Sequence, residues 1–269
     1  NNASLFTTAG GAADAGIRVA TAGTGGVTIS GTGSGAIDVA RATSNNLGWG
    51  VIGQISNGKN SQAVSIDVAQ DVVTRNVIGG ITGITLGTGS VSVRARGDVT
   101  VDNAAEPGSV GIEAAVLGTS GAGGATLTLD SGATVTSSGI GLRAQTLSAS
   151  GITKVTASGT VLADGDAIVA TTDSSGDLTV TASGAITSDT GVGIYAERTN
   201  FDADGNIDIT YSGSLLTAAT NGIETQLGGS FDTATVTVSG TIRATDFGVY
   251  QIADFGSNTL NVHIHNLRR

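Results

Sequence analysis

LTVTASGAITSDTGVGIYAE (Leu178–Glu197), IDITYSGSLLTAATNGIETQ (Ile207–Gln226) and TVTVSGTIRATDFGVYQI (Thr235–Ile252) are three versions of one unit. Each runs a strand, a Ser-Gly turn, a short strand and a second turn that opens with glycine and an apolar residue. The unit recurs about every 25 to 30 residues, and self-similarity at that period marks a repeat architecture.

The first turn falls at Gly97, Gly132, Gly159, Gly184, Gly213 and Gly240. The second falls at Gly83, Gly111, Gly141, Ala167, Gly193, Gly222 and Gly248. Apolar residues keep register with both. Before the first turn stand Val93, Val155, Val180, Ile209 and Val236, and after it Val99, Val161, Ile186, Leu215 and Ile242. After the second come Ile84, Ile112, Leu142, Ile168, Ile194, Ile223 and Val249. The unit at Gly132 is shifted by one, with Leu129 and Val135, which predicts a wider turn there. Within strands the alternation has period two, so one face is buried and the other is wet.

An antiparallel sandwich could use strands of this length, but hairpins would not return the same apolar position at the same offset in successive units. Stacked coils do. The expectation is an all-β chain folded as a right-handed parallel β-helix of about eight or nine coils, with three short strands per coil, each coil rising ~4.8 Å. One domain spans residues 1–269, with less regular coils over 1–80 and regular ones over 81–265. GVTISGTGSGAIDVA (Gly26–Ala40) and AVSIDVAQDVV (Ala63–Val73) supply the early strands. Pro107, the one proline, lies in a surface insertion, and the lone Trp49 is expected to pack rather than to face a ligand.

Composition fits. Glycine accounts for 43 of 269 residues, as expected where tight corners call for positive φ. Aromatics are only 3%, so small aliphatics must fill the lumen. There is no cysteine, which a long solenoid core does not need and which suits a chain that crosses membranes unfolded. The chain opens NNAS without Met and carries no leader or apolar run of transmembrane length, as in a processed product or an excised segment. A net charge of −10 argues against nucleic acid and anionic membrane surfaces as partners.

The serial pairs Ser131-Gly132, Ser158-Gly159, Ser183-Gly184, Ser212-Gly213 and Ser239-Gly240 join the G-I-x-A units Gly111–Ala114 and Gly193–Ala196 in a recognisable style, with Gly141–Ala144 close to it. In these the chain resembles the passenger domain of a Gram-negative autotransporter, or a segment of a related large surface adhesin. The likeness is strong over about two-thirds of the chain. It implies secretion through an outer-membrane barrel and an extracellular, cell-surface location, and it carries no functional motif.

Polysaccharide lyases share the expected fold and use carboxylates with Arg, Lys or His in a groove. The candidates here are Asp164 and Asp166 in a turn, and Arg143, Arg198 and Arg243 at outward positions. Tyr195, Tyr211 and Tyr250 are the aromatic platforms, while His263 and His265 are remote from any carboxylate cluster. Turn aspartates more often form Asx turns, so no enzyme is expected and no catalytic residue is assigned. Asp202, Asp204, Asn206 and Asp208 alternate around a glycine as calcium ligands do, but without the bidentate Glu. A polar loop explains them equally, and no cofactor is expected. Thr126/Thr128, Thr179/Thr181 and Thr235/Thr237 could stack as an ice-facing array, which Lys154 and Asp208 interrupt.

The sequence therefore points to a non-enzymatic extracellular adhesin or spacer whose partner is a host or neighbouring-cell surface. The alternative is a filament subunit joined to copies of itself end to end. Its assembly edge would be Leu260, Val262 and Ile264 on the last strand, meeting Ser4–Thr7 or Ile17–Ala20 of a neighbour.

Overall fold

The computed structural model describes residues 15–41, 48–104, 106, 108–200, 205–228, 232–253 and 259–264. They form a parallel β-solenoid with three sheets, two of nine strands and one of eight. Sheet A stacks Ala15–Thr21, Trp49–Ile55, Gly79–Thr85, Val110–Val116, Ile140–Thr146, Ile168–Thr172, Ile194–Arg198, Ile223–Leu227 and Val249–Ala253. Sheet B stacks Val27–Gly31, Val64–Val68, Val91–Ala95, Ala125–Leu129, Thr153–Ala157, Leu178–Ala182, Asn206–Tyr211, Thr233–Val238 and Thr259–Ile264. Sheet C runs from Ile37–Ala40 to Ile242–Ala244 and contributes the short strand of each coil. The chain passes A to B to C and returns to A one coil higher, so every neighbour in a sheet is parallel. The strands before residue 81 join the same three sheets.

Each sheet contributes an inward file. On sheet C it is Ile37, Val72, Val99, Val135, Val161, Ile186, Leu216 and Ile242. On sheet A it is Ile17, Val51, Ile81, Ile112, Leu142, Ile168, Ile194, Ile223 and Val249. Sheet B adds Ile29, Ile66, Val93, Leu127, Val155, Val180, Ile209, Val236 and Val262. Identical positions meet at every rung, and a single apolar column results.

Three expected positions move. Leu216, not Leu215, pairs with Ile186 and Ile242, because the turn at Gly213 holds one more residue than its neighbours. Ile81 rather than Ile84 faces Ile112, and Gly83 lies within a strand instead of opening a turn. Leu127 replaces Leu129 as the partner of Val93 and Val155, while Val135 holds its place opposite Val99.

The reason for glycine also changes. Among the described glycines only Gly48, Gly121 and Gly132 have positive φ, so curvature explains few of them. At Gly97, Gly184, Gly213 and Gly240 an added Cβ would strike a carbonyl of the coil below. At Gly80, Gly111, Gly141, Gly193 and Gly222 it would strike both the next coil's backbone and a sheet C residue of the core. Glycine is used here chiefly for close approach. Gly132 departs from this, with φ of 89° and open space around it, in the turn that the sequence marks as different, and Gly248 in the last coil also meets no atom.

Candidate functional site

The candidate catalytic side chains do not converge. Asp166 Oδ1 accepts the Val192 amide of the next coil at 2.7 Å, and the Asp164 carbonyl accepts the Thr190 hydroxyl at 2.6 Å. Both residues tie one turn to the next. Arg143 pairs with Glu113 across neighbouring strands on the outer face of sheet A, with Nε 2.9 Å from Oε1. Arg243 stands exposed on sheet C. His263 points outward from the last strand in file with Thr237, and His265 lies outside the described residues.

Arg198 overturns the sequence reading most. It was expected to face outward, but strand parity from Ile194 turns it inward, where its side chain and that of Asp232 are both 0% exposed. Its Nε donates to Asp232 Oδ2 at 3.2 Å and its Nη1 to the Gly176 carbonyl at 2.7 Å, while Asp232 Oδ1 accepts the Gly205 amide at 2.8 Å. Gly176 sits at the same corner one coil below and Asp232 one coil above, so the guanidinium clamps three coils. Lower coils fill this corner with serine: Ser148 donates to the Gly123 carbonyl, and Ser174 to that of Gly151. Where the corner lengthens from 173–177 to 199–205, the short hydroxyl is replaced by the longer guanidinium, and a buried cation then requires a buried anion.

Tyr211 also points inward and is fully buried, so it is no platform for a ligand. Burial pushes its phenol up to about 12. Trp49 lies against Gly79, where an added Cβ would meet its ring, and so has the packing role expected of it. Asn206 and Asp208 lie in an extended strand; the Asn206 amide donates to Asp177 Oδ1 at 3.0 Å. Partial burial, then Asp177, raises the Asp208 carboxyl above its ordinary value. Asp202 and Asp204 fall outside the described residues. Among those described, no group of three or more His, Cys, Asp or Glu is placed to hold a metal ion, and no helix is long and apolar enough to cross a membrane.

Two outward features were only partly legible. On sheet B, Thr126, Lys154, Thr179, Asp208 and Thr235 form the interrupted file, but Thr128, Thr156, Thr181, Thr210 and Thr237 run beside it without a break. On sheet A, Tyr195, Glu224 and Tyr250 share one file, each two residues beyond a corner glycine, and that offset was the signal that could have found them. The Tyr195 hydroxyl donates to Gln226 Oε1 at 3.2 Å, Asn221 Nδ2 donates to Glu224 Oε2 at 2.7 Å, and Tyr250 stacks on Phe247 with centroids 5.2 Å apart.

The last described strand, Thr259–Ile264, exposes its apolar residues. Leu260, Val262 and Ile264 are 41%, 44% and 52% exposed, whereas Ala234, Val236 and Val238 one coil earlier are 0%, 0% and 4%. Comparison with known proteins returns no matching family model, no matching curated protein and no matching solved structure.

Proposed function

We propose that this chain is a non-enzymatic, extracellular shaft of the autotransporter-passenger kind, displayed at a cell surface as an adhesin or spacer. The observation that carries the reading is the unbroken apolar column through all three sheets, which makes a stiff rod with long, regular outer faces. Polar side chains that would be recruited to catalysis serve the coil instead: the Asp166 carboxylate ties a turn, Arg143 is paired, and Arg198 is sealed inside. Negative-stain microscopy of the purified chain should show monomeric rods on the order of 40 Å long, at ~4.8 Å per coil. Compact particles would refute the shaft, and polysaccharide cleavage lost in Asp164→Asn/Asp166→Asn would refute the non-enzyme reading. Adherence of beads coated with the chain to host or neighbouring cells separates adhesin from spacer.

A filament subunit is the second reading, favoured by the exposed Leu260, Val262 and Ile264. Parallel stacking would match that edge to Val27–Gly31, the first strand of the same sheet, rather than to Ile17–Ala20, which lies in sheet A. Val27 and Ile29 are already buried, which weighs against a simple head-to-tail joint. Fibres in the parent that vanish when residues 259–269 are deleted, with the β-rich circular dichroism retained, would establish it over the monomeric rod.

A further inference from the structure

We propose that the outer face of sheet A, over its last three strands, is a glycan-binding strip whose ligand is a sugar chain without acidic groups, lying along the solenoid axis. The inference rests on the reading of this chain as a displayed binding surface and gives that surface a ligand class. Tyr195, Glu224 and Tyr250 stand on consecutive rungs of one outward file, with Glu197, Gln226 and Ile252 beside them. Rungs of a parallel sheet are ~4.8 Å apart, so the two tyrosines are separated by about 10 Å along the axis with a carboxylate between them. Phe247 widens the upper platform: it stacks on Tyr250 with an interplanar angle of 17° and is itself 57% exposed.

The chemistry is that of a sugar site. Pyranoses offer apolar C–H faces, which stack on aromatic rings, and hydroxyls, which donate to carboxylates and amides. The polar groups are held in place beforehand, Tyr195 by Gln226 and Glu224 by Asn221. The Tyr195 phenol is pushed well above its ordinary value, first by burial and then by Glu197, Glu224 and Asp166, so the hydroxyl keeps its proton.

Charge narrows the ligand. The outward positions of the last four strands of sheet A are Val169, Thr171, Tyr195, Glu197, Glu224, Gln226, Tyr250 and Ile252, with no lysine or arginine among them. The one arginine on these strands, Arg198, is turned inward against Asp232. Uronic or sulfated chains would meet uncompensated carboxylates, while neutral or amino-bearing sugars would not.

Isothermal titration with neutral, amino-bearing and uronic oligosaccharides of matched length tests this. Neutral or amino-bearing chains should bind, with the two arms separating hydrogen bonding from charge pairing, and uronic chains should not. Tyr250→Ala and Phe247→Ser, both at exposed positions, should each weaken binding roughly tenfold. Thr237→Ala on sheet B should change nothing. Absence of binding by both neutral and amino-bearing chains, equal binding by the Tyr250→Ala/Phe247→Ser protein, or equal binding of uronic chains would overturn the strip. Cell adherence measured on the same variants distinguishes the failures. A parent that adheres undiminished by these changes loses the strip but keeps the surface reading, whereas a parent that does not adhere loses the adhesin reading itself.

Discussion

At the scale of single residues, the most demanding feature is the ion pair between Arg198 and Asp232. Two charges with fully buried side chains must each be answered, because an unpartnered charge in the interior is far more costly than an absent pair. Asp232→Ala should therefore destabilise the fold by about 3–5 kcal/mol, while Arg198→Met/Asp232→Leu should recover most of the loss. Urea unfolding of the two proteins checks this, and equal midpoints would refute the clamp. Asp208 gives a test with the opposite sign to most aspartates. Its carboxyl is raised by burial and by Asp177, so the folded chain binds that proton more tightly than the unfolded chain does. Stability from this group is fully present below the unfolded value near 3.8 and falls as pH rises to the higher folded value. Asp208→Asn should raise the melting temperature at pH 7 and leave it unchanged near pH 3. A variant that melts lower than the parent at pH 7 would contradict the sign.

At the scale of the element, the coil corner explains why glycine recurs and which substitutions it tolerates. At Gly141 an added Cβ would lie 2.5 Å from Val161 Cγ1 and 2.6 Å from the Ala167 carbonyl. Gly141→Ala must therefore push coils apart, at a cost of about 1–3 kcal/mol typical of overpacking. Gly132→Ala meets no atom and loses only the freedom to hold φ of 89°, about 1 kcal/mol. Thermal denaturation should rank Gly141→Ala below Gly132→Ala; the reverse order would mean that backbone strain outweighs close packing here. The same corners show what a single sequence can and cannot reveal. Strand type, inward files and coil period follow from alternation and spacing, both of which are local. Register across coils does not, because Leu215 and Leu216 are equally apolar and only the neighbouring rungs choose between them. Arg198 was read as outward for a related reason: parity from Ile194 places it inside, but its partner there, Asp232, is remote in sequence. The tyrosine file was legible only as separate aromatic residues, because its members are about 27 residues apart and meet only after stacking.

At the scale of the whole molecule, the stacking order has mechanical meaning. In every sheet the hydrogen bonds run along the long axis, since each strand bonds to the coil above and the coil below. A pull on the two ends of the rod thus loads these bonds in sequence, as in opening a zipper, rather than together, as in shear. Coils at an end should peel singly at low force, each releasing on the order of 90 Å of chain at ~3.4 Å per residue. The Arg198 guanidinium interrupts that series, for it spans three coils at one corner and must give up its bonds to Gly176 and Asp232 before the coils on either side can part. Extension of a tethered molecule should accordingly proceed in regular small steps with one pronounced pause. The rod would then act as a shock absorber with a catch partway along its length, yielding under flow and rewinding when the load falls.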